Sequence, residues 1–277
     1  MWQLARPDTS DVRKHLGLAL KVTPAATAQE IDDIIALYDA YETDLGRPSD
    51  ALKGEALRPD LLEAIRDAYG CVQDNGSLSD LRSALKLSTD ECPYCGFGQV
   101  QDLDHHLPKA VFKPFSIFPL NLVPSCATCN RGKTRKPGTD PAKHLFNVYL
   151  EPKLTFQFLV ARALIDPASG ALLVQFSIRP SQPISGELLD RLKNHLVEFD
   201  LETRFPAQVN IYLGTLEVSL VDNYDSGGAV AVENFLRRSA DASAKRNGLN
   251  DWRTALLHAV AECREFCDGG FSTALGY

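Results

Sequence analysis

Nowhere in the 277 residues is there an uninterrupted apolar run of 18, so the sequence gives no sign of a membrane-spanning helix. It also has no signal-like start. Met1-Trp2-Gln3-Leu4-Ala5-Arg6 leads directly into polar sequence, and a soluble, cytoplasmic protein without a membrane partner is expected. Internal repeats and low-complexity tracts are missing as well, which argues against a solenoid or a long disordered tail. Positive charge is in short supply: 29 Lys and Arg face 36 Asp and Glu, for a net charge of −7, so a uniformly basic nucleic-acid-binding surface is excluded. Cysteine is too sparse for a disulfide framework. There are 7, and four of them fall in Cys-x-x-Cys pairs, the pattern of metal binding in a reducing compartment.

What is present concentrates between residues 92 and 136. Cys92-Pro93-Tyr94-Cys95 and Cys126-Ala127-Thr128-Cys129 pair thiols at the spacing that tetrahedral zinc takes. Folding around such an ion contributes roughly 10 kcal/mol or more in small zinc modules, so the cysteines are expected to act as scaffold. Between the pairs lies Asp104-His105-His106-Leu107-Pro108, and Cys129 runs straight into Asn130-Arg131-Gly132-Lys133. A carboxylate beside an imidazole, followed by an amide at Asn130, supplies ligands for one hard divalent cation, Mg²⁺ or Mn²⁺, and a general base.

Those residue types suit phosphodiester hydrolysis. An attacking water must lose a proton while the departing oxygen gains charge. A neutral imidazole, with a reference pKa of ~6.5, takes the proton, and a cation on the phosphate stabilises the charge. Adjacent strand residues point to opposite faces, so Asp104 and His105 converge on one phosphate only where a strand ends, and Pro108 marks such an end. Ser125 is expected to cap the next helix, with Lys133 one turn beyond Asn130 near the same face.

From Cys92 to Lys136 the sequence resembles the HNH, or ββα-metal, endonucleases. Their Asp-His followed by Pro is matched by Asp104, His105 and Pro108, their central Asn by Asn121, and their last Asn or His by Asn130. The resemblance implies that Asp104 and Asn130 are catalytic metal ligands and His105 is the general base. Asn121 would hold the loop and orient His105 through the backbone. In some members an adjacent His pair divides these roles differently, which keeps His106 in view. The gap from Cys95 to Cys126 exceeds the ~15–20 residues of common zinc modules. An inserted strand pair fits it, with a loop around Phe112 to Phe118 left unassigned.

The activity implied is DNA endonuclease cleavage with one divalent metal; the alternatives are a non-catalytic nucleic-acid-binding zinc module and an RNA or tRNA nuclease. Residues 103–133 are also similar to stand-alone HNH proteins of bacterial anti-phage systems, Septu-like and retron-linked. That similarity implies an ATPase partner docking on the flanking helices.

Charge by region fits a nucleic-acid cleft. Residues 26–90 hold 14 acidic against 6 basic side chains, whereas residues 101–143 hold 7 basic against 3 acidic. Lys109, Arg131, Lys133, Arg135 and Lys136 are the expected phosphate contacts. Cys263 and Cys267 are expected to be core thiols, and His15, His144, His195 and His258 packing or surface residues.

The fold expected is α+β, a zinc-stapled ββα-metal module (89–150) between a helical N-terminal region (1–88) and a C-terminal β-hairpin followed by helices (151–277). Thr27-Ala28-Gln29-Glu30 spells a capping box, and further helices are predicted at 60–69 and 79–87. A hairpin is predicted from 154–163 and 171–179, then helices at 186–198, 207–220, 229–245 and 250–267.

Overall fold

The computed structural model describes residues 3–21, 25–133 and 140–276. The chain is α+β, with two two-stranded antiparallel sheets among the helices of the described residues. It divides between Lys153 and Leu154 into two compact units. Among the described residues, no helix is long and apolar enough to cross a membrane.

The first unit begins with four helices, α1 (Val12–Ala19), α2 (Ala28–Thr43), α3 (Pro59–Asp67) and α4 (Ser79–Lys86). The capping box starts α2: Thr27 Oγ1 accepts the Glu30 N–H at 3.2 Å and the Glu30 carboxylate accepts the Thr27 N–H at 2.8 Å, so two orphan donors are satisfied. Helical spacing then puts Ile34, Tyr38 and Tyr41 on one buried face.

That face meets the stretch left unassigned in the sequence. Tyr38 stacks on Phe118 at 4.0 Å between ring centroids, and Tyr41 packs against Phe115 at 4.9 Å. The stretch is therefore core, folded as short 3₁₀ turns at Lys113–Phe115 and Pro119–Asn121. It joins β1 (Asp102–His105) to β2 (Leu122–Ser125), the strand pair expected between the knuckles, and α5 (Ala127–Gly132) follows directly. The register sets Asp102 opposite Ser125, Leu103 opposite Pro124, Asp104 opposite Val123 and His105 opposite Leu122. A sheet of only two strands has an open edge on each side, which tolerates the missing N–H of Pro124. The helices before residue 89 and the ββα segment after it thus share one core within this unit.

The second unit opens on the expected hairpin, β3 (Leu159–Ile165) paired with β4 (Leu172–Ile178). Its turn is closed by Asp166, which accepts the Ser169 N–H at 3.1 Å, with Gly170 at φ +70°. Next come α6 (Gly186–Glu198), α7 (Leu201–Arg204), α8 (Pro206–Gly214), α9 (Glu217–Arg246), α10 (Trp252–Glu262) and α11 (Phe271–Leu275). The helix predicted over 207–220 is broken after Gly214. α9 is two helical stretches separated at Gly227-Gly228, where both residues leave helical angles, so its second stretch begins at the expected 229. Gly228 takes φ +61°, ψ −154°, a conformation essentially reserved for glycine. In the C-terminal segment, α10 stops at Glu262 because Cys263 takes extended backbone angles. Both Cys263 and Cys267 are buried as core thiols, and burial pushes the Cys267 thiol up to about 12.

Asn250 pins the hairpin to the start of α10. Its Oδ1 accepts the Phe158 and Leu159 N–H groups at 2.7 and 3.0 Å, and its Nδ2 donates to Phe156 O at 2.9 Å. Asn250→Ala leaves these buried backbone groups without partners, at an expected cost of ~2–4 kcal/mol. Urea denaturation read on this unit checks it: an unchanged midpoint would show that the backbone finds other partners.

Candidate active site and metal centre

The four paired cysteines meet. Their sulfurs all lie within 4.8 Å of one another and are buried. Local backbone geometry explains the first pair: the Gly96 N–H donates to Cys92 O at 2.8 Å, Gly96 adopts φ +72°, and the Gly98 N–H donates to Cys95 Sγ at 3.3 Å. A Cβ at Gly98 would stand 2.7 Å from Cys126 Cβ, so the close approach of the two knuckles requires glycine there. Cys126 is the N-cap of α5, its sulfur accepting the Cys129 N–H at 3.4 Å, where Ser125 had been expected to cap. Tetrahedral bonds of ~2.3 Å separate sulfurs by about 3.8 Å. Cys95 and Cys126 are 3.9 Å apart, so the donor set fits a structural metal such as zinc.

Asp104 and His105 are the last two residues of β1, and both side chains are buried. His105 Nε2 lies 3.0 Å from Ser116 O. A carbonyl only accepts, so Nε2 carries the proton and Nδ1 is left as the basic nitrogen. Tyr69 stands edge-on to the imidazole at 4.4 Å. Burial pushes the His105 pKa down to about 4, and the ring is neutral at pH 7.

The Asp104 carboxylate is buried and doubly held. Tyr94, from inside the first knuckle, donates its hydroxyl to Oδ2 at 2.8 Å. The Lys133 ammonium makes an ion pair with the same oxygen, donates to His105 O and reaches His106 O at 3.2 Å. Three oxygens thus converge on one ammonium.

Asn130 goes elsewhere. Its Nδ2 donates to Asp102 Oδ2 at 3.0 Å, and the structure does not bring it to Asp104 as the sequence had implied. Residues two apart on β1 share a face; Asn130 on α5 pairs with Asp102, and Lys133, the residue that follows the helix, pairs with Asp104. Asp102 is therefore a site residue the motif reading missed, although its two-residue spacing from Asp104 was there to see.

Asn121 is buried and saturated. Oδ1 accepts the Leu107 N–H at 2.7 Å, while Nδ2 donates to Leu107 O and Phe115 O, each at 3.1 Å. Its carbonyl accepts the His106 N–H at 2.8 Å. Both ends of the loop carrying Asp104, His105 and Ser116 are thereby fixed. Tyr41 backs it up, donating to Asn121 Oδ1 at 3.1 Å and accepting from Asn147 Nδ2 at 2.9 Å, a support no sequence pattern signalled.

The basic residues divide. Lys109 holds its ammonium 4.3 Å above the Tyr69 ring, next to His105, and Arg131 is exposed. Lys133 is buried on Asp104, and in this arrangement its ammonium cannot reach a phosphate, contrary to the expected role. Lys113, part of the basic excess, is paired with Glu63 at 2.6 Å. Arg135 and Lys136 lie outside the described residues.

About one zinc per chain is expected by elemental analysis of the purified protein. Cys126→Ser should lose the metal and soften the whole first unit, since β1, β2 and α5 are too short for a core of their own. A Cys126→Ser protein that keeps both full zinc content and the wild-type melting temperature would rule the assignment out.

No family model matches this chain, and no solved structure does. Among curated proteins it is similar to protein ea31 of Escherichia phage lambda, 39% identical over 75 residues, which make up 26% of this chain and 25% of that protein. The similarity spans about a quarter of the relative's length.

Proposed function

We propose that the protein is an HNH-type endonuclease that hydrolyses DNA phosphodiester bonds, with zinc in the four-cysteine cluster as a structural staple. The observation that carries this reading is His105: a neutral buried imidazole whose Nε2 is fixed on Ser116 O, beside a carboxylate that already holds a cation. A general base needs that arrangement, because the proton accepted at Nδ1 leaves an imidazolium that the Ser116 carbonyl stabilises from the other side. Asp104, steadied by Tyr94, would hold one Mg²⁺ or Mn²⁺, which when bound stabilises negative charge on the phosphate. Lys109, over the Tyr69 ring that packs on His105, would contact a phosphate oxygen, and the exposed Arg131 would add a second contact. Asn121 keeps the loop rigid so that base and carboxylate face one reacting group.

Similarity to a phage-encoded protein is compatible with a role in the conflict between phage and host, where an ATPase partner would dock on the flanking helices. A second reading also has support. The buried Lys133–Asp104 pair would suit a nucleic-acid-binding zinc module without catalysis.

A plasmid cleavage assay with Mg²⁺ or Mn²⁺ separates the two, and RNA competitors tell a DNA nuclease from an RNA or tRNA nuclease. His105→Ala is expected to lose ~10²-fold or more in rate while still binding DNA. Equal cleavage by wild type and His105→Ala would remove His105 as the base, and cleavage by neither would remove the catalytic reading. The pH profile is sharper. Protonation disables the base, so kcat/KM should fall as pH drops through about 4 and stay flat above it. A midpoint near the reference ~6.5 would mean that the catalytic imidazole is not the buried one.

A further inference from the structure

The Lys133 ammonium has three donors, and Asp104 Oδ2, His105 O and His106 O supply three acceptors. Nothing about that arrangement resembles a surface lysine. The ion pair is buried on both sides, and breaking it by removing one partner would strand a charge. A divalent cation seated among Asp104 Oδ2, His105 O and His106 O, with Mg²⁺ at ~2.0–2.1 Å from the carboxylate oxygen, would take the place the ammonium holds and cannot share that space with it. Lys133 also sits where release is easy. It is the C-cap of α5, with φ −62° and ψ 134°, so its backbone has already left the helix and the ammonium can swing away without unwinding it.

We propose that Lys133 is a tethered plug in the Asp104 site: its ammonium and a divalent cation occupy one position in turn, so the cation binds only when the lysine leaves. This rests on the nuclease reading and adds a regulatory device to it. At rest the protein would carry a closed, charge-balanced site, and a ligand that draws the ammonium outward, such as a DNA phosphate, would favour cation binding. The same lysine would then act twice, as plug without DNA and as phosphate contact with it.

Mn²⁺ alone is the probe, titrated into the zinc-loaded full chain with free Mn²⁺ read by electron paramagnetic resonance. A plug that keeps the competent state below about a tenth of the population weakens apparent affinity by the same factor. Lys133→Met should therefore bind Mn²⁺ about tenfold or more tightly than wild type, and adding Asp104→Asn should abolish the gain. Equal or weaker binding by a folded Lys133→Met overturns the proposal. If that variant does not fold, the wild type decides: acetic anhydride labelling of Lys133, read by mass spectrometry against exposed Lys153, should rise as Mn²⁺ is added. Labelling that stays flat overturns it.

Plasmid cleavage measured in the same preparations keeps the two claims apart. Cleavage with unchanged Mn²⁺ affinity removes the plug and leaves the nuclease; tightened affinity without cleavage does the reverse.

Discussion

A carboxylate buried away from water has to be compensated, and the first unit is organised around doing so for Asp104. An unpaired ion in that position would cost several kcal/mol, whereas two partners on one oxygen make it tolerable. The partners come from different elements. Tyr94 lies in the first cysteine knuckle and Lys133 at the end of α5, so the carboxylate on β1 is where three short pieces of chain are brought to account for one charge. None of the three has a core large enough to hold its own position.

That is why the metal cluster matters to the site without taking part in it. Zinc at Cys92, Cys95, Cys126 and Cys129 would fix the knuckle that presents Tyr94 and the N-terminus of the helix that presents Asn130 and Lys133. On the opposite side, α2 and the aromatic loop seat Asn121 through Tyr41, and Asn121 in turn fixes the loop on which His105 finds Ser116. Staple and aromatic core thus each hold one half of the pair Asp104 and His105. Loss of metal should loosen the carboxylate first, because the imidazole is anchored from the aromatic side.

The local signals in the sequence were the ones that could be read. A capping box, a β-hairpin turning through Asp166-Pro167-Ala168-Ser169-Gly170 and two Cys-x-x-Cys pairs depend on residues a few positions apart, and all formed. The loop from Phe112 to Phe118 was opaque because its order comes from Tyr38 and Tyr41, more than 70 positions away. Asn130 falls on α5 and Lys133 just beyond its end, but Asn130 pairs with Asp102 where the motif set it with Asp104, and Lys133 pairs with Asp104 where the motif set it on a phosphate. Spacing shows which residues share a face; how far the helix slides along the strand is set by packing. The depressed pKa of His105 was equally invisible, since burial of the ring depends on Tyr69 and the loop around Ser116.

On the proposed function, the four cysteines would hold zinc for structure while Asp104 offers a separate cation position beside His105. Anomalous diffraction from crystals of the full chain grown with Mn²⁺, collected at the zinc and manganese edges, tests both halves at once. The expected result is zinc among the four sulfurs and manganese on Asp104, with the Lys133 side chain displaced from the carboxylate. Zinc missing from the cysteines, or a saturating Mn²⁺ concentration that leaves Lys133 on Asp104 and no manganese there, would contradict it.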